Sequence, residues 1–205
     1  MNLPNKLTLT RMAIVPFFIA CIEIGGFWFT TGALLLFCLA ALTDFFDGRI
    51  ARKYNIITKL GIFLDPLADK LLVSAAFIGF VKFDDLHIPA WMVIAIISRE
   101  FLITGFRSLA ASKNIIIPAD KSGKFKTTFQ IVVIIIVLVI MIIRDWFWEF
   151  YGVAPDMIEI YDKGAYRTLA FLFDVIPFWA VLIAALLTIY SGLNYLIKHR
   201  DLLKE

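Results

Sequence analysis

Between Asp44 and Asp69 the chain sets four aspartates and an arginine in or beside strongly apolar sequence. The stretch reads Asp44-Phe-Phe-Asp47-Gly48-Arg-Ile-Ala51-Arg52, then eight residues, then Gly61-Ile-Phe-Leu-Asp65-Pro66-Leu-Ala-Asp69. An ionised group in such surroundings costs on the order of several kcal/mol unless it has a partner or a task. Residues three or four apart share a helix face. Asp44, Asp47, Gly48, Ala51 and Arg52 therefore fall on one stripe of a first helix, and Gly61, Asp65 and Asp69 on one stripe of a second. If the two helices face each other, four carboxylates meet in one cavity, where bare they would repel. Bridging divalent cations relieve that repulsion, and a ligand set made only of oxygen favours Mg²⁺ or Mn²⁺ over zinc or copper. Gly48, Ala51 and Gly61 remove side-chain bulk from the same stripes, which lets a phosphate-bearing substrate approach the helix backbone. Arg52 adds a planar fork for phosphate oxygens. Simple pairing of the acids with Lys and Arg for helix packing explains neither the glycines nor the shared faces.

The elements that must hold these residues are membrane helices. Of the 205 residues, 61% are hydrophobic and mean hydropathy is +0.86, against roughly 45–50% apolar usage in soluble domains. The expected fold is an all-α integral membrane protein forming a single domain, residues 1–205. Six apolar spans are expected, at Met12–Ile24, Thr31–Ala51, Leu60–Val81, Ile88–Arg107, Thr127–Ile143 and Phe178–Ile197, each near the ~20 residues that cross the hydrocarbon. The first follows Lys6 and Arg11 and has the look of a signal peptide; cleavage there would discard Asn5 and Thr8, so a retained span is expected.

Basic residues orient the spans. With the N-terminus in the cytoplasm, only Lys82, Arg144, Lys163 and Arg167 of the twenty Lys and Arg fall on the outer side. Trp28, Trp91, Trp146, Trp148 and Trp179 map to that outer interface. Both termini are thus expected in the cytoplasm, with the four aspartates near the cytoplasmic helix ends, where a soluble headgroup meets the metals while acyl chains stay in lipid. Net charge is only +3, and no nucleic-acid partner is expected. Cys21 and Cys38 lack metal-ligand spacing and read as small buried apolar residues; His87 and His199 receive no role. The aromatic and acidic segment from Asp145 to Arg167 reads as an outer loop with an interfacial helix.

Other polar residues complete the set. Asn5 and Thr8 precede the first span and can cap its helix. Pro66 is expected to kink the third helix, and Lys70 to snorkel or pair. Arg99 sits inside an apolar run, where an arginine usually faces a cavity or an acid; adjacent Glu100 lies off its helix face, and Arg107, eight residues on, returns to that face. Arg99, Arg107 and Lys124 opposite the metal site would suit an acceptor carrying its own phosphate, although lysines near Lys124 also fit ordinary cytoplasmic decoration.

The spacing Asp-x2-Asp-Gly-x2-Ala-Arg-x8-Gly-x3-Asp-x3-Asp resembles the signature of the CDP-alcohol phosphatidyltransferases without a departure. Pro4-Asn5-x-Leu7-Thr8-x2-Arg11 resembles the start of that family, which approaches the cytidine nucleotide. Ser98-Arg99-Glu100, Arg107 and Gly123-Lys124-x-Lys126-Thr127-x2-Gln130 are similar to the bacterial phosphatidylglycerophosphate synthase branch; beyond Gln130 the resemblance rests on hydropathy and a weak Ser191-Gly192-x2-Tyr195. This resemblance implies a six-helix fold, frequent homodimers, dependence on Mg²⁺ or Mn²⁺ at a two-ion site, and a bacterial inner-membrane location with the active site facing the cytoplasm. It implies CDP-diacylglycerol as phosphatidyl donor and sn-glycerol 3-phosphate as acceptor. Asp44, Asp47, Asp65 and Asp69 would hold the ions, with Asp69 also the general base. Asn5, Thr8, Asp47, Gly48, Ala51, Arg52 and Gly61 would seat CDP-diacylglycerol, and Arg99, Arg107 and Lys124 the acceptor phosphate. Other acceptors, as in a cardiolipin synthase or an inositol-phosphate-type synthase, share the signature. Aromatic prenyltransferases lack the Gly-x2-Ala-Arg element. A cation-coupled transporter predicts acids spread through the bilayer depth and a repeat, neither of which the sequence contains.

Overall fold

In lipid, a single apolar segment can satisfy its own backbone only as a helix, and the described part of the computed structural model is almost entirely helical. The structure describes residues 3–54, 59–112, 121–152 and 165–199; within these, the side chains of 3–7, 44–54, 59–66, 69, 112, 121–122, 124 and 165–170 lie outside the description. Among the described residues there are six α-helices and no strand: α1 (Leu3–Ile24), α2 (Phe27–Tyr54), α3 (Lys59–Val81), α4 (Ala90–Ser112), α5 (Lys121–Tyr151) and α6 (Ala165–Lys198). A 3-10 turn, Asp84–Leu86, lies between α3 and α4.

The six helices follow the expected spans, the fourth starting at Ala90 where Ile88 was expected, and they overrun several of them. Because α1 already begins at Leu3, Asn5 and Thr8 lie inside the helix; capping requires a residue at the non-helical boundary, so that reading is corrected. α5 continues to Tyr151, so Asp145–Tyr151 is the last part of a long helix and not loop. Its charges permit this because Arg144 and Asp145 are neutralised by partners described below. An interfacial helix within 153–164 falls outside the described residues. α6 starts at Ala165, well before the apolar span expected from Phe178. α3 passes through Pro66 as one helix.

Helix packing forms a closed ring. α1 packs on α2 and α3, α2 on α5, α5 on α6, α6 on α4, and α4 on α3, while α3 also touches α5 across the middle. The first reversal is made by Gly25 and Gly26, at φ 68° and 83°, a backbone that side-chain-bearing residues avoid. The core holds Phe18, Phe37, Phe77, Phe80, Met92 and Leu138, with alanines at 33, 40, 76, 184 and 185 fully enclosed. Small residues of this kind let helix backbones approach closely, which matters where lipid removes the hydrophobic drive for association.

Polarity is inverted relative to a soluble bundle. Phe17, Leu35, Leu39, Leu42, Ile78, Ile94 and Leu186 point outwards, while Arg11, Lys126, Gln130, Asp145, Thr188 and Ser191 are buried. An apolar surface this extensive marks contact with membrane or partner. Two stretches, Phe125–Tyr151 and Phe171–Lys198, are long and apolar enough to cross a bilayer unaided, and the shorter Phe27–Thr43 and Lys70–Val81 are also apolar. The fold is consistent with a membrane protein.

One end of the ring gathers the reversals at Gly25–Gly26 and at 82–89. Here Lys82 pairs with Glu23, and Arg144 bridges Asp85 and Asp145 while Thr30 donates to Asp145 Oδ2 at 2.6 Å. His87, at φ 49°, closes the 3-10 turn by donating its backbone N–H to Asp84 O at 3.0 Å. Cys21 and Cys38 are free thiols in separate helices, and both are half-buried where full burial was expected, because each sits at the edge of a helix face turned partly outwards.

Candidate active site

The opposite end of the ring carries the helix segments of every candidate site residue. Asn5 and Thr8 lie in the first turns of α1; Asp44, Asp47, Gly48, Ala51 and Arg52 lie in the last turns of α2; Gly61, Asp65 and Asp69 lie in the first half of α3. Arg99 and Arg107 lie in the second half of α4, and Lys124 in the first turn of α5. The helix spacing that defines the two aspartate stripes is therefore realised in the backbone. The side chains of Asn5, Asp44, Asp47, Gly48, Ala51, Arg52, Gly61, Asp65, Asp69 and Lys124 fall outside the described residues. Among the described residues no three His, Cys, Asp or Glu side chains gather as a metal site. As chemistry, four aspartates on two helices form an all-oxygen donor set, which fits a hard divalent ion.

The described side chains build the neighbouring half. Glu100 of α4 is the hub: Lys126 of α5 forms an ion pair with it, Lys70 Nζ of α3 lies 3.7 Å from Oε2, and Arg99 Nη1 lies 3.5 Å from Oε1. Lys70 also donates to the Glu100 backbone carbonyl at 3.1 Å and to the Thr104 hydroxyl. It is thus a pairing lysine, and its contacts fix the rotation of α3 one residue after Asp69. Glu100 lies off the Arg99 face, as adjacent helical residues must, and the two side chains still approach to 3.5 Å because both are long enough to reach round the helix. Lys126 is 3% exposed, so it cannot be surface decoration.

Three cations thus converge on one carboxylate, and α6 adds a neutral wall. Arg99 Nη2 donates to Ser191 Oγ at 2.9 Å, and Gln130 Nε2 donates to Thr188 Oγ1 at 3.0 Å. Arg107, two turns beyond Arg99, holds its guanidinium 6.0 Å from the centre of the Tyr195 ring, at the outer limit of a cation–π contact. Arg99 and Arg107 therefore share the face of α4 that meets α6, as their spacing requires. A partly buried, cation-rich pocket wall of this kind is suited to a phosphate, since charge-assisted bonds strengthen away from bulk water. Sequence reasoning gave no role to Lys126, Gln130 or Thr188; the available signal was their position, polar residues one turn apart on helix faces otherwise apolar. Thr8 is fully buried at this end.

A family model described as CDP-alcohol phosphatidyltransferase matches residues 1–190. The chain belongs to the CDP-alcohol phosphatidyltransferase family. Divalent-metal dependence is general in that family. Among similar proteins, one from Bacillus subtilis (strain 168) is 47% identical over 145 residues, covering 65% of this chain and 74% of its own. One from Rickettsia bellii (strain RML369-C) is 36% identical over 195 residues, covering 95% and 93%. One from Shigella flexneri serotype 5b (strain 8401) is 35% identical over 212 residues, covering 100% and 98%. Each of the three is named CDP-diacylglycerol–glycerol-3-phosphate 3-phosphatidyltransferase.

Proposed function

We propose that this phosphatidyltransferase moves a phosphatidyl group from CDP-diacylglycerol to sn-glycerol 3-phosphate, giving phosphatidylglycerophosphate and CMP. The acceptor hydroxyl oxygen forms a bond to the phosphorus that bears diacylglycerol, and the bond from that phosphorus to the CMP oxygen breaks. The observation that carries the choice of a phosphorylated acceptor is the Arg99, Lys126 and Lys70 cluster around Glu100, at the same end of the ring as the signature helices.

Each residue has a task in this reading. Asp44, Asp47, Asp65 and Asp69 would hold two Mg²⁺ or Mn²⁺ ions, which when bound neutralise charge on the pyrophosphate and the departing CMP. Asp69 would take the proton of the acceptor hydroxyl, because a positioned carboxylate is a competent base. Gly48, Ala51 and Gly61 leave room for the cytidine diphosphate portion beside Arg52, with Asn5 and Thr8 at its nucleotide end. Arg99, Arg107 and Lys124 seat the acceptor phosphate, and Lys70 and Lys126 hold Glu100 among them. The six helices would each cross the membrane with both termini in the cytoplasm, the site opening to the cytoplasmic face of a bacterial inner membrane. The family resemblance also supports a homodimer, which mass measurement in detergent would test.

The test is CMP release by purified protein from CDP-diacylglycerol, with and without sn-glycerol 3-phosphate, in Mg²⁺ or Mn²⁺ and then in chelator. Release that requires both acceptor and metal is expected. Release driven by phosphatidylglycerol or inositol phosphate but not by glycerol 3-phosphate would overturn the acceptor assignment.

A further inference from the structure

We propose that Gly192 and Ser191 of α6 are positioning residues that set the Arg99 guanidinium for the acceptor phosphate, so that acceptor recognition depends on a helix outside the signature. The inference rests on the acceptor reading above. Its starting point is the crossing of α4 and α6. A Cβ on Gly192 would stand 2.7 Å from Arg99 Cγ and 3.0 Å from Nε, well inside the roughly 3.5–4.0 Å optimum between carbon atoms. Cγ belongs to the stem of the arginine and not to its mobile tip. A methyl group there therefore forces a change of χ1 or χ2, which swings the guanidinium through several bond lengths.

Ser191 acts on the other end of the same side chain. Its Oγ accepts from Arg99 Nη2 at 2.9 Å, fixing the plane of a fork whose stem lies in the notch at Gly192. Arg99 is held at both points by one turn of α6. Nε of Arg99 is buried and has no hydrogen-bond partner among the described residues. Buried donors are rarely left so, and this one belongs to a group with five N–H bonds to distribute. Glu100, at 3.5 Å from Nη1, is a weak claim on the remainder. Nε itself is enclosed against α6, so the arginine is oriented by neutral α6 contacts while Nη1, held only by the long Glu100 contact among the described residues, keeps donor capacity for an oxyanion.

Position 192 lies inside α6, and small residues at helix crossings let backbones and long side chains approach closely; here the notch accommodates the arginine stem. Replacement of Gly192 should therefore be felt through Arg99 alone.

The experiment compares G192A, S191A, R99A and G192A/R99A in CMP-release kinetics, varying each substrate separately, with thermal unfolding in detergent as a check on folding. G192A is expected to raise apparent KM for sn-glycerol 3-phosphate about tenfold, the loss of one charge-assisted contact, while kcat and KM for CDP-diacylglycerol stay within about twofold. S191A, which adds no bulk, is expected to move the same constant in the same direction by a smaller factor. Adding G192A to R99A is expected to cause no further loss in kcat/KM for the acceptor, the non-additivity of residues acting as one unit. Equal rises in KM for both substrates, or an undiminished effect of G192A without Arg99, would overturn the proposal. Should G192A fail to fold, S191A with unchanged acceptor KM would do the same. Failure of the wild-type protein to use glycerol 3-phosphate at all would instead defeat the acceptor reading.

Discussion

Replacing Asp145 with alanine should destabilise the protein strongly and leave its chemistry almost untouched. Asp145 is 7% exposed and closes three bonds: Thr30 Oγ1 donates at 2.6 Å, and Arg144 Nε and Nη2 donate at 3.2 and 3.0 Å. Thr30 is wholly buried, and no described side chain other than Asp145 accepts from it. Arg144 keeps Asp85 and its position 5.3 Å from the Phe83 ring, so it is only partly orphaned. Breaking a buried ion pair from one side costs about 3–5 kcal/mol, and the remaining Arg144 contacts place D145A at the low end, about 3 kcal/mol. At roughly 2–4 °C per kcal/mol for a chain of this size, the melting temperature should fall by about 6–12 °C. Tryptophan fluorescence during heating in detergent measures this, and CMP release well below the transition should stay within about twofold of wild type, because the cluster lies at the ring end away from the site. T30V should cost about 1–2 kcal/mol alone and almost nothing on top of D145A. A fall under about 2 °C, or lost turnover with unchanged melting, would refute the reasoning.

Further outcomes follow from the site. D69N should abolish turnover while circular dichroism and melting stay close to wild type; substantial residual CMP release would remove Asp69 from the base role. K124A should raise apparent KM for glycerol 3-phosphate by about 10- to 100-fold, the loss of a charged contact worth about 1.5–3 kcal/mol, and more than for CDP-diacylglycerol; an equal effect on both substrates would contradict the acceptor assignment. E100Q and K126M should be non-additive in thermal stability by about 1–3 kcal/mol, because they interrupt one ion pair; strict additivity would show that Lys126 and Glu100 act independently.

Helix positions were legible in the sequence because apolar runs of membrane length admit little else, and the eight-residue step from Arg99 to Arg107 correctly put both on one face. Helix ends were less legible. Asp145 looked like loop because acids and aromatics cluster after it, and only the remote partners Thr30 and Arg144 make it helical interior. The same blindness to distant partners obscured Lys126: its one-turn spacing from Gln130 hinted at a shared polar face, but only Glu100, brought against it from another helix, marks it as a buried ion-pair member. Gly192 carried only the weak Ser191-Gly192-x2-Tyr195 resemblance and no sign of a task, since a helical glycine acquires meaning from the side chain that crosses it. At the signature the helical backbone of α2 and α3 was the opposite case, legible because the spacing of the aspartates is itself the helical period.

Ring order has a consequence for biosynthesis. α6 follows the other five described helices in chain order, yet it stands between α4 and α5 and supplies the wall behind both arginines. Until α6 has been made, the seam that encloses Arg99 is open, so this wall of the ring is completed only after α4 and α5 are in place.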